Sequence, residues 1–136
     1  MVRKNRENAK KGLGMNNTIR PEETLDFELN KLQKLQNDIV AWSTSTFGDR
    51  QFTAIPVIEH LGKEADELID AINNKGNYKE EFADCFMLLI EAAKICGILT
   101  NELIDLTYAK LEVNKKRKWG KPDEKGIIEH VTDGQS

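Results

Sequence analysis

Two pairs of acids, Glu64 with Glu67 and Glu81 with Asp84, have the residue types and spacing to take a cation. Each pair stands at i, i+3, which makes its members neighbours on one helix surface. The stretch 56–95 carries both pairs and reads as two amphipathic helices joined by a short turn. Packed antiparallel, those helices bring four carboxylates together, and such a cluster repels itself unless a cation sits in it. Oxygen-only ligation suits a hard ion, Mg²⁺ or Mn²⁺, and Mg²⁺ usually brings a phosphate substrate with it.

Spacing alone does not make a site. Glu23/Asp26, Glu67/Asp70 and Glu102/Asp105 have the same spacing, and a solvated helix face accounts for such pairs. Helical phase separates the sets. At about 100° per residue, Glu81 heads a row formed by Cys85, Leu88, Ala92 and Ile95. Glu64 shares a line with Leu61 and Leu68, and Glu67 lies beside it on the polar side. Glu102 and Asp105 point away from the apolar side of their helix. A carboxylate on a core-facing row is costly unless it is paired or bound to metal.

A second constellation is Lys110, Asn114 and Arg117, at i, i+4, i+7. Cations near a helix C-terminus suit the negative end of its dipole, and the run 115–118 fits that simple account. The inward phase of Lys110 and Asn114 does not. Two cations and an amide aimed at an acidic metal cluster make a phosphate site, with the amide free for a sugar or base edge. Trp42 reads as one edge of the core, with stacking against a base as the functional alternative. His60, one turn before Glu64, reads as a hydrogen-bonded boundary residue rather than a ligand.

Four helices must position these residues: from Pro21 to Phe47-Gly48, from Pro56 to Asn73, from about 79 to 96, and from Thr100, as N-cap, to about 118. The first carries the stripe Leu25, Leu29, Leu32, Leu35, Ile39 and Trp42. The third is apolar almost all round and belongs in the centre of a bundle or at a subunit interface. The fourth turns Leu103, Leu106 and Val113 inward. Residues 126–131 form a short apolar segment, extended and packed back on the bundle or a neighbour. Length gives one domain over residues 21–136 behind a disordered basic arm, residues 1–20. Charged residues at 32% and aromatics at 7%, with three prolines, favour an all-α bundle of four to five helices.

Net charge is −3, so no global basic field argues for nucleic acid, and the arm reads as solvated. No run of about 18 apolar residues spans a membrane. The polar N-terminus lacks the apolar core of a secretory signal, so the expected setting is the cytoplasm. Cys85 and Cys96 stand eleven residues apart on one helix, roughly 16 Å, too far for a mutual disulfide. They read as buried small hydrophobes.

Taken together, Glu64-x-x-Glu67, Glu81-x-x-Asp84 and Lys110-x-x-x-Asn114-x-x-Arg117 resemble the all-α MazG-type nucleoside triphosphate pyrophosphohydrolases. Trp42, Phe47-Gly48, His60-Leu61-x-Lys63-Glu64, Arg117-x-Trp119 and Glu129-His130-Val131 look like the dATP/dGTP diphosphohydrolase branch, over about residues 27–131. The resemblance implies a homodimer or homotetramer with Mg²⁺, or Mn²⁺ in its place, on Glu64, Glu67, Glu81 and Asp84. It implies cleavage of a nucleoside triphosphate, with purine deoxynucleotides preferred, to monophosphate and pyrophosphate. Glu64 or Glu67 would take a proton from the attacking water, while Lys110 and Arg117 offset charge on the leaving group. No Ser/His/Asp or Cys/His set competes for a covalent route. A di-iron bundle would need Glu-x-x-His pairs, and none occurs. The remaining alternative is a non-catalytic helical assembly or nucleotide-binding regulatory protein on the same fold.

Overall fold

The computed structural model describes residues 20–48 and 53–132. The basic arm, apart from Arg20, and the loop residues 49–52 lie outside that set. Among the described residues the chain is all-α, with four helices: α1 (Pro21–Phe47), α2 (Ile55–Asn73), α3 (Tyr78–Ile95) and α4 (Thr100–Lys116). No described helix is long and apolar enough to cross a membrane.

Local chemistry sets the ends. α1 opens on Pro21, whose missing N–H is no loss in a first turn, with Glu22 and Glu23 at the positive end of the dipole. It stops at Gly48, where φ is +79°. α2 ends in a tight turn in which Asn74 N–H donates to Asp70 O and Gly76 N–H to Ala71 O. Lys75 takes the left-handed conformation there, at φ 54°. α3 closes with Gly97 at φ +81° and Ile98 N–H donating back to Ala93 O.

The short turn folds α3 back along α2, the most extensive contact in the chain, while α1 packs on α3 and α4. α3 is therefore central, as its all-round apolar surface requires. The fully buried apolar side chains among the described residues are few: Ile39 on α1, Val57 on α2, Ile90 and Ala92 on α3. Polar groups do much of the joining. Gln36, wholly buried, donates from Nε2 to Ile90 O (3.2 Å) and Ile98 O (3.1 Å). Its Oε1 accepts from Gln33 Nε2 at 2.9 Å, and Gln33 Oε1 accepts both the N–H (3.0 Å) and the hydroxyl (2.8 Å) of Thr100. Thr100 is thus not the N-cap of α4. Leu99 holds that position, and a glutamine from α1 satisfies the helix's first donor.

Several expected core positions face outward. Trp42 is 53% exposed and meets Phe47 edge-on at 5.4 Å. Leu106 and Val113 are also exposed, because α4 packs chiefly on α1 and offers Leu103 and Ile104 inward instead. Cys85 is half-buried and Cys96 exposed, both as free thiols, so neither is fully interior. The side chains of Leu25 and Leu29 lie outside the described set. Between α1, α3 and α4 runs an open apolar groove of about 900 Å³, lined by Leu32, Leu35, Phe86, Leu89, Ile104 and Tyr108 among others. Past α4 the chain doubles back: Gly120 N–H donates to Glu129 O (2.9 Å) and Val131 N–H to Lys118 O (2.8 Å), around a single antiparallel bridge of Trp119 with His130. The segment expected to be extended packs here on its own chain.

Replacing Gln36 by Leu keeps side-chain bulk but orphans two interior carbonyls. We expect a loss on the order of 3 kcal/mol in urea unfolding, with the denaturant slope unchanged. Wild-type stability would show that water substitutes freely for the amide.

Candidate metal centre

The α2 face turned to α3 carries Leu61, Glu64, Ala65, Leu68 and Ala71, all half-buried. The facing row on α3 is Glu81, Cys85, Leu88 and Ala92, half-buried to buried. Burying these apolar rows against each other carries the acids inward with them. One oxygen each from Glu64, Glu81 and Asp84 falls within 4.8 Å of the others. Glu67, more exposed, lies outside that group but close enough to Glu64 for the two carboxyls to interact. Among the described residues, three of the four expected carboxylates thus come together, with Glu67 at their edge.

The cluster bears the marks of unrelieved repulsion. The hydrogen bond with Glu64 and that residue's charge push the Glu67 carboxyl above its usual value, with burial, Glu81 and Asp84 adding to the rise. Burial, then the charges of Asp84, Glu64 and Glu80, raise Glu81. Cys85 is raised by burial, then by the charges of Glu64, Glu81 and Asp84. Glu81 Oε2 is buried with no hydrogen-bond partner. An orphaned, buried carboxylate oxygen is expensive, and here it belongs to a cluster of hard oxygen donors. That donor set fits a divalent ion such as Mg²⁺ or Mn²⁺. No described Lys or Arg pairs with these acids; the ion pairs are Arg20–Glu23, Lys34–Asp38, His60–Glu64 and Lys115–Glu112. His60 Nε2 sits 2.9 Å from Glu64 Oε1, the hydrogen-bonded boundary position expected for it.

The basic row stands elsewhere in the chain. Lys110 is exposed, while Asn114 and Arg117 are half-buried, with Arg117 Nη1 donating to Asn114 Oδ1 at 3.3 Å. Lys110 and Asn114 line a recess of about 330 Å³ with Leu106, Thr107 and Leu111. Their helix packs chiefly on α1, and no described hydrogen bond or ion pair links the row, or Trp42, to the carboxylates. One buried acid escaped the sequence reading. Glu91 accepts a 2.5 Å hydrogen bond from the Ser43 hydroxyl across the α1–α3 contact. Its partner lies 48 residues away, so only its place on an apolar helix marked it.

The family model described as dATP/dGTP pyrophosphohydrolase matches residues 35–135. A dATP/dGTP diphosphohydrolase of Salmonella phage PMBT28 is 31% identical over 110 residues, 79% of this chain. The chain spans 34% of that relative's length. Among solved structures, the cyanophage S-2L MazG-like pyrophosphohydrolase bound to dGDP and three catalytic Mn²⁺ ions per active site aligns with TM-score 0.60 and 27% identity. That alignment covers 74% of this chain and 97% of the neighbour.

A raised carboxyl makes the native state bind protons more tightly than the unfolded chain. The stability Glu81 contributes is therefore full below its ordinary value of 4.5 and is lost as pH rises through its higher native value. In ion-free buffer, the melting temperature of wild type minus that of Glu81→Gln should fall as pH climbs from 4.5. Added Mn²⁺ at neutral pH should raise the melting temperature of wild type more than that of the variant. A difference flat in both pH and Mn²⁺ would contradict the assigned electrostatics.

Proposed function

The chain belongs to the dATP/dGTP pyrophosphohydrolase family, and from that premise we propose that it hydrolyses deoxynucleoside triphosphates, dATP and dGTP foremost, to monophosphate and pyrophosphate. The observation that carries the reading is the meeting of Glu64, Glu81 and Asp84 around a partnerless buried oxygen of Glu81. The neighbour from cyanophage S-2L, bound to dGDP and Mn²⁺, supports both the ligand class and the ion.

In this reading Glu64, Glu67, Glu81 and Asp84 hold Mg²⁺ or Mn²⁺, which when bound neutralises phosphate charge and acidifies a water. The rest falls to the chain's own groups. Glu64 or Glu67 accepts the proton of the attacking water. Lys110 and Arg117 offset the charge that develops on the departing pyrophosphate. The Asn114 amide meets a sugar or base edge, and Trp42 offers an exposed ring to the base.

The working unit is a homodimer or homotetramer, with residues 21–136 as one catalytic domain in the cytoplasm, where two free thiols persist. Two features support an assembly. The acids and the basic row share no described hydrogen bond or ion pair within one chain, so a second copy's cations can complete the charge balance. The apolar groove between α1, α3 and α4 also lacks a cover.

Incubation with each nucleoside triphosphate and Mg²⁺ or Mn²⁺ should yield monophosphate and pyrophosphate; a panel without any monophosphate sinks the reading. Glu81→Gln should remove turnover by at least about a hundredfold with the helical circular-dichroism signal intact. Light scattering should return a mass of two or four chains, and a monomer at working concentration contradicts the assembly.

A further inference from the structure

We propose that Trp119 and His130, on the hairpin that follows α4, form a stacking platform for the base of a bound nucleotide. The proposal rests on the nucleotide-hydrolase reading above and adds a subsite separate from Trp42. The hairpin is tied by hydrogen bonds and has no core of its own. Beyond its two cross-strand bonds, Asp123 Oδ1 accepts from the N–H groups of Lys125 and Ile127, both at 2.9 Å. Asp123 N–H in turn donates to Ile127 O at 2.8 Å.

Within that frame the indole is fixed. Trp119 Nε1 donates to the carbonyl of Asn114 at 2.9 Å, and its ring meets the His130 ring edge-on at 6.1 Å and 82°. The one polar atom of the ring is satisfied, yet the residue remains 45% exposed. A large apolar face held in one orientation in water is ready to receive another flat apolar face.

Its neighbours say which. The hydrogen bond from Trp119 ends on Asn114, whose Oδ1 engages Arg117, and Asn114 shares a recess with Lys110. Cations, an amide and an aromatic ring thus follow one another along a single strip. A nucleotide has the same parts in the same order: anionic phosphates, a hydrogen-bonding sugar and a flat base. Lys118 and Lys121 flank the ring in sequence, a setting poorly suited to the centre of an apolar protein interface. Stacking accepts any base, so the platform adds affinity while edge contacts choose among bases.

The test uses calorimetry with a non-hydrolysable dATP analogue and with inorganic pyrophosphate, both in Mn²⁺, on wild type, Trp119→Leu and Trp119→Phe. The Leu variant should bind the analogue about tenfold more weakly or worse, with pyrophosphate affinity unchanged. Phe should restore most of the loss, although it lacks the N–H that reaches Asn114. Equal weakening of both probes, or a Phe variant as poor as Leu, overturns the platform in favour of a scaffolding role. A changed mass by light scattering with unchanged nucleotide affinity assigns the ring to a subunit contact and overturns it equally. Should Trp119→Leu misfold, the difference in emission between wild type and Trp119→Phe gives a second readout: dGMP should quench the share that Trp119 carries, and no quenching of that share overturns the proposal. Wild type that neither hydrolyses nor binds the analogue sinks both readings, whereas binding that leaves Trp119 silent sinks this one alone.

Discussion

The contact between α2 and α3 forces like charges together. Leu61, Ala65 and Leu68 are half-buried against the row of Cys85, Leu88 and Ala92, and Glu64 and Glu81 stand in those same rows. Apolar burial favours the contact and carboxylate repulsion opposes it, at one place and along one axis. The rise in Glu67 and Glu81 is the visible cost. Protonation or a divalent cation relieves that opposition, and near neutral pH only the cation leaves the acids charged. An ion that bound the native cluster alone would stabilise the fold for this reason.

The remaining contacts are held by polar groups to an unusual degree. With few wholly buried apolar residues described, the α1–α3–α4 junction depends on Gln33 and Gln36, which satisfy carbonyls at the end of α3 and the first donor of α4. Ser43 and Glu91 add a further buried bond across the α1–α3 contact. Hydrogen bonds specify geometry more strictly than apolar contact does, because a small shift breaks them while a side chain can repack. A junction built this way fixes where α4 leaves α3, and hence where Lys110, Asn114 and Arg117 come to stand.

Periodicity made the helices legible, and their bounds follow from proline, glycine and short polar turns that act locally. Phase made the acid cluster legible too, because Glu81 and Glu64 could be placed on buried rows by counting residues. What escaped depended on partners far away in sequence. Thr100 has an N-cap's chemistry, yet Gln33, 67 residues earlier, takes its hydroxyl and pulls it into the first turn. Leu106 and Val113 form a proper helical stripe, but a stripe names a face and not the element that covers it. Trp42 failed as a core residue for the same reason. Glu91 sits on an apolar helix where no local rule reveals the Ser43 hydroxyl opposite.

The separation of charge within the chain has its own consequence. Had Lys110 or Arg117 been placed against Glu64 or Glu81, each acid would have found a permanent cation and neither charge would remain available. Partly buried ion pairs of that kind are hard to break, because removing one partner strands the other. Keeping the acids on α2 and α3 and the cations on α4 leaves both sets uncompensated: the acids strained among themselves, the cations beside an open recess. A polyphosphate carrying its divalent ion supplies both missing partners at once, its ion to the carboxylates and its oxygens to the cations. Under the proposed reading, binding energy then comes from relieving repulsion the fold already contains, and a ligand lacking either half relieves only part of it. That favours the complete nucleotide–metal complex over free ion or free nucleotide without any further recognition element.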